Sequence, residues 1–130
     1  MSNKETKEYL EVLHREDTTW IKSIMFYRDE MEIFKKRLSE ISSKYTDKEV
    51  KALVSHFEST FWINLRVLDE LIIDISKREE EIVKEIESNP VAYEHRKIQA
   101  SAELKGKFSM FERLYTGLKN EFNTFSAKYM

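Results

Sequence analysis

Residues 57–75 read FESTFWINLRVLDELIIDI, and the spacing of their apolar side chains decides the fold. Phe61, Leu65, Leu68, Ile72 and Ile75 recur at alternating steps of four and three, which places all five on one stripe of an α-helix. Leu53, Val67 and Leu71 widen the stripe on one side, so this helix is expected to touch two neighbours. Followed in both directions, the seam runs through Val54, Phe61, Leu65, Leu68, Ile72, Ile75, Ile82 and Ile86.

The flanking segments repeat the pattern. Upstream, Leu13, Trp20, Ile24, Tyr27, Met31, Phe34, Leu38 and Ile41 form a second stripe, with Ser2 and Glu5 offering a capping box at its start. Thr46 and Glu49 offer another, and Tyr45 and Val50 occupy the positions of a hydrophobic staple. The turn around Lys44 to Thr46 is therefore short, and short turns join antiparallel neighbours. Asn89-Pro90 is the one proline-marked break. Beyond it Leu104, Phe108, Phe111, Tyr115, Leu118, Phe122, Phe125 and Tyr129 keep the spacing to the last turn. Helices are expected over about 3–43, 47–88 and 90–129, in an all-α, antiparallel up-down-up bundle: one elongated domain spanning 1–130. The overall form is similar to spectrin-type and other three-helix rods, a likeness of fold that implies no activity.

Composition excludes some functions and leaves others open. Charged residues make up 35% and apolar ones 41%, with two glycines and one proline, a mix that suits long helices and argues against disorder. The net charge of −2 calls for neither nucleic acid nor an anionic membrane, and no run of side chains is apolar enough to span a bilayer. There is no cysteine, hence no disulfide and no thiolate chemistry, and the expected location is the cytoplasm. The charge is unevenly spread. Residues 47–90 carry six basic and eleven acidic side chains, whereas residues 91–130 carry seven basic and four acidic. Packing of the acidic helix beside the basic one, within one molecule, is the simplest use of that asymmetry.

Candidate chemistry is sparse. His14, His56 and His95 fall one to a helix, but each projects away from its own apolar stripe, so no metal centre within one chain and no cofactor is expected. Both glycines are isolated inside a helix, unlike a phosphate loop, and adjacent Ser55 and His56 point about 100° apart, too far for a nucleophile–base pair. Acidic residues inside the seams are more informative. Glu16 and Asp17 interrupt the first stripe, and Glu79 sits between Ile75 and Ile82 in the second. Asp17, Glu79 and Lys97 are read as a polar layer that fixes register, Glu79 lying near Lys97 and Ser101. Glu58 is read in the same way, with Arg37 or Lys119 as partner.

Some apolar residues fit no stripe. Ile21 and Met25 flank the first seam on one side, Phe26 and Ile33 on the other, while Trp62 and Ile73 sit about 100–120° from the second with Ile63 further round. A thin three-helix core has little room for them. Phe26, Ile33, Trp62 and Ile73 are therefore assigned to partner binding, in a homodimer or against another helical protein. Gly106, Met110 and Gly117 share the outer face of the third helix, where missing side chains let a partner approach. The expected function is protein–protein interaction or self-association without catalysis. The alternative is a bundle that binds a metal or small ligand at a site completed across a dimer.

Overall fold

The computed structural model describes residues 3–88 and 93–130, the side chains of 3, 5–7, 9, 85, 86 and 93–101 excepted. It contains three helices, α1 (Asn3–Lys44), α2 (Lys48–Ser88) and α3 (Tyr93–Tyr129), and no strand among the described residues. At ~1.5 Å per residue each is roughly 55–65 Å long, so the bundle is a rod running up, down and up. None of the three is long and apolar enough to cross a membrane.

Side-chain pairs fix the register. Between antiparallel α1 and α2, Phe34 faces Phe61, Arg28 pairs with Asp69 and Asp17 with Arg78. Between α2 and α3, Phe61 meets Phe122 and Asp74 pairs with Lys107. The parallel helices α1 and α3 meet through Trp20 against Phe108 and Phe34 against Phe122.

Burial follows an unbroken seven-residue repeat. On α1 the inward positions are Leu13, Asp17, Trp20, Ile24, Tyr27, Met31, Phe34, Leu38 and Ile41, and on α3 they run from Leu104 to Tyr129 as expected. On α2 they are Val50, Val54, Phe57, Phe61, Asn64, Leu68, Leu71, Ile75, Arg78 and Ile82. A sustained repeat of seven lets long helices stay in contact by supercoiling left-handedly, since 3.5 residues per turn is slightly tighter than 3.6.

Half of the α2 seam thus lies one residue from where the spacing predicts it. Phe61, Leu68, Ile75 and Ile82 are shared, but the alternate row is Phe57, Asn64, Leu71 and Arg78 instead of Glu58, Leu65, Ile72 and Glu79. Because α2 is wedged between two neighbours, Leu65 and Ile72 still pack half-buried at the core's edge, whereas Glu58 turns out to solvent.

Aromatic rings fill the end of the rod where α1 stops. Phe34, Phe57, Phe61, Phe122 and Phe125 interlock with centroids 4.9–6.3 Å apart, and Tyr45 meets Tyr129 edge-on at 5.4 Å. The adjoining turn closes without the expected capping box. The Lys51 amide donates to the Asp47 carbonyl at 3.0 Å, so α2 begins at Lys48, just after Asp47. Lys51 Nζ meanwhile reaches back to the Ser42 carbonyl at 2.5 Å and satisfies an end of α1 that has no helical partner.

Candidate functional site

Asp17 and Arg78 form the polar layer, between the Leu13–Ile82 contact and the main core. Both side chains are almost fully buried, with Arg78 bonded to Asp17 and, at 3.4 Å, to Glu16. The guanidinium carbon lies 5.0 Å from the Trp20 ring centroid, an arrangement in which a flat cation gains from the ring's negative face. Asp17 faces inward, and its ion-pair partner is Arg78. Glu79, the residue expected at the centre of the seam, is half-exposed and lies 3.6 Å from His14. At 100° per residue, turning Arg78 inward necessarily carries Glu79 towards the rim. The side chain of Lys97 lies outside the described residues, as does that of His95.

Burial dominates the electrostatics here. Asp17 loses hydration, which pushes its carboxyl up to about 6; Arg78 opposes the rise and Glu79 adds to it. One Asp17 oxygen, Oδ2, is buried without a hydrogen-bond partner. Among the described residues no three His, Asp or Glu side chains converge so as to hold a metal ion. The remaining histidine, His56, stacks edge-on against Phe57. Neither partner proposed for Glu58 is used, since Lys119 binds Glu30 of α1 at 2.9 Å.

The outer surface carries the surplus apolar residues. Phe26, Ile33, Trp62 and Ile73 are each more than half exposed. They do not form one face. Phe26 and Ile33 flank Glu30, which bonds to Tyr115 and Lys119 of α3, so they border the α1–α3 groove. Trp62 and Ile73 flank Asp69, the partner of Arg28, so they border the α1–α2 groove. There Trp62 lies under Arg66 at 5.0 Å and beside Lys35 and Ser39.

A third groove, between α2 and α3, is the most developed. Its volume is about 710 Å³, and Ile63, Val67, Met110, Leu114 and Gly117 line its apolar part. That volume is within the ~300–1,000 Å³ of small-molecule sites. The shape is different: the wall from His56 to Asp74 covers roughly 27 Å of helix, a trough suited to another helix. Ile63, Val67, Glu70 and Asp74 form one wall, and Lys107, Met110, Leu114, Gly117 and Glu121 the other, each at steps of three and four. Met110 and Gly117 carry the outer-face signal visible in the sequence. Leu114, the most exposed large apolar side chain among the described residues, escapes the spacing argument because it lies next to the Phe111–Tyr115–Leu118 stripe and reads as its shoulder.

Compared with known proteins, the chain matches no family model, no curated protein and no solved structure.

Proposed function

We propose that this chain is a non-enzymatic helical bundle that works through protein–protein contacts along its outer grooves, by self-association or by docking onto another helical protein. One observation carries the reading. Large apolar side chains, more than half exposed, border the grooves along the rod instead of being scattered singly. Exposed apolar ridges of this sort gain by being covered, at roughly 25 cal/mol per Å² of apolar surface removed from water. The proposal places this work in the cytoplasm, which fractionation of tagged protein checks.

Site-specific photo-crosslinking in cells tests the function. A photoreactive side chain in place of Trp62, Ile33 or Leu114 is expected to trap a discrete heavier species, and one in place of the solvent-facing Glu40 is not. Uniform absence of adducts at the three apolar positions overturns the reading.

A further inference from the structure

Resting on that reading, we infer that the α2–α3 groove is covered by the same groove of a second copy of this chain. The two copies are related by a twofold axis parallel to the rod, so that α2 of each lies on α3 of the other.

Charge distribution along the groove points to this occupant. A twofold along the rod keeps every residue at its own height and exchanges α2 for α3 across the interface, so the groove must carry opposite features on its two walls at each level. It does. The register set by Phe61–Phe122 and Asp74–Lys107 brings Glu70 level with Arg113, with acid on the α2 wall and base on the α3 wall. Towards the other end the α3 wall turns acidic at Glu121, near the height of the uncharged Thr60 on α2. Between these poles Val67 is close to the height of Leu114, and Ile63 is close to that of Gly117, where nothing lies within 4 Å of an added Cβ. An apolar ridge therefore meets an apolar ridge, and an isoleucine meets a gap.

Contacts within one molecule leave this complementarity largely unused. Asp74–Lys107 is the sole α2–α3 ion pair among the described residues; neither Glu70 nor Arg113 makes one there. The charges of Glu70 and Arg113 are thus available to a second molecule. Two copies joined in this way place four helices around a shared apolar strip, every α2 antiparallel to both of its α3 neighbours.

Sedimentation equilibrium of the purified chain, with circular dichroism as a check on folding, tests the inference. Wild type is expected to be a dimer at micromolar concentration. Leu114→Glu, at an exposed position, should stay helical and become monomeric. Glu70→Arg and Arg113→Glu should each weaken the dimer by about tenfold or more, because each sets like charges opposite one another twice. Mixing those two variant chains should restore it: one interface strip then carries the native pair and the other the reversed pair. A monomeric wild type overturns the inference, and so does a dimer that ignores Leu114→Glu or fails to recover on mixing. If such a protein still yields crosslinks at Trp62 or Ile33, the interaction reading survives and only the α2–α3 dimer falls.

Discussion

Tyr115 of α3 donates its hydroxyl hydrogen to Glu30 of α1 at 2.7 Å, although the tyrosine residue itself is only 2% exposed. The bond is reciprocated three residues away in each helix, where Tyr27 of α1 donates to Glu112 of α3 at 2.5 Å. Two tyrosine–glutamate pairs of opposite polarity thus lock the parallel helices in one register, and the two rings meet edge to face with centroids 5.1 Å apart. A slip of one turn would break both bonds.

Alkaline titration should reveal that lock. Burial and the glutamate acceptors push Tyr27 up to about 12 and Tyr115 higher still. For these acids the folded value exceeds the unfolded value near 10, so their contribution to stability is complete below pH 10 and is lost as pH rises through 12. Absorbance at the phenolate band should show two of the six tyrosines ionising late, together with loss of helicity. Tyr115→Phe should remove one of them and cost about 1–2 kcal/mol, limited because Lys119 still holds Glu30. If all six titrate together while the helices persist, the bonds are not formed in solution.

Acid should act oppositely on the polar layer. Asp17 has its carboxyl raised to about 6 from an ordinary 3.8, chiefly by burial. Its contribution to stability is therefore full below about pH 4 and fades as pH rises through 6, for a total of about 2–3 kcal/mol. Urea denaturation of wild type against Asp17→Asn should show the wild type gaining on the variant between pH 7 and 4. Arg78→Leu should cost about 3–5 kcal/mol at pH 7, because it leaves a buried carboxylate with no cation, and less at pH 4. Replacing both residues by leucine should recover most of that loss. A deficit in Arg78→Leu that is the same at both pH values would show that Asp17 is not the group that responds.

Much of this architecture can be read from residue spacing, and the failures have a common physical origin. The inward faces of α1 and α3 are legible because each presents one dominant apolar row. Helix α2 presents two, Phe57–Asn64–Leu71–Arg78 and Glu58–Leu65–Ile72–Glu79, one residue apart and each with two apolar and two polar members. Counting apolar residues cannot choose between them. The choice is made by tertiary fit, since Phe57 fills the aromatic end and Arg78 reaches Asp17 and Trp20. The same one-residue offset puts Arg78, not Glu79, in the layer with Asp17. Exposure at Phe26 and Trp62 was legible as surplus, but their division between two grooves depends on which neighbour each helix flank meets, and a single helical projection does not contain that information.

The interlocked phenylalanines should dominate the stability of the bundle. Phe122 is fully buried and contacts the rings of Phe34, Phe57, Phe61 and Phe125. Phe122→Ala removes one ring from the contacts of all three helices at once and should cost about 3–5 kcal/mol, whereas Phe26→Ala, at an exposed site, should change stability by less than about 1 kcal/mol. Chemical denaturation of the monomeric Leu114→Glu background separates these from any effect of association. Equal losses at the two positions would mean that Phe26 is covered within the monomer.

Gly106 and Gly117 offer a comparison in which folding and association diverge. Both lie inside α3, both have negative φ, and nothing stands within 4 Å of a Cβ built on either. Alanine at each should therefore stabilise the helix by about 1 kcal/mol, through the backbone entropy that glycine loses on folding. Gly117 lines the α2–α3 groove and Gly106 does not. Thermal melts at submicromolar concentration should then show the same increase for Gly106→Ala and Gly117→Ala, roughly 3–5 °C. At high concentration the two should part: Gly106→Ala should keep its advantage, while Gly117→Ala should forfeit part of it because the added methyl occupies the gap opposite Ile63 of the second copy. Parallel behaviour at every concentration would mean that nothing packs against Gly117.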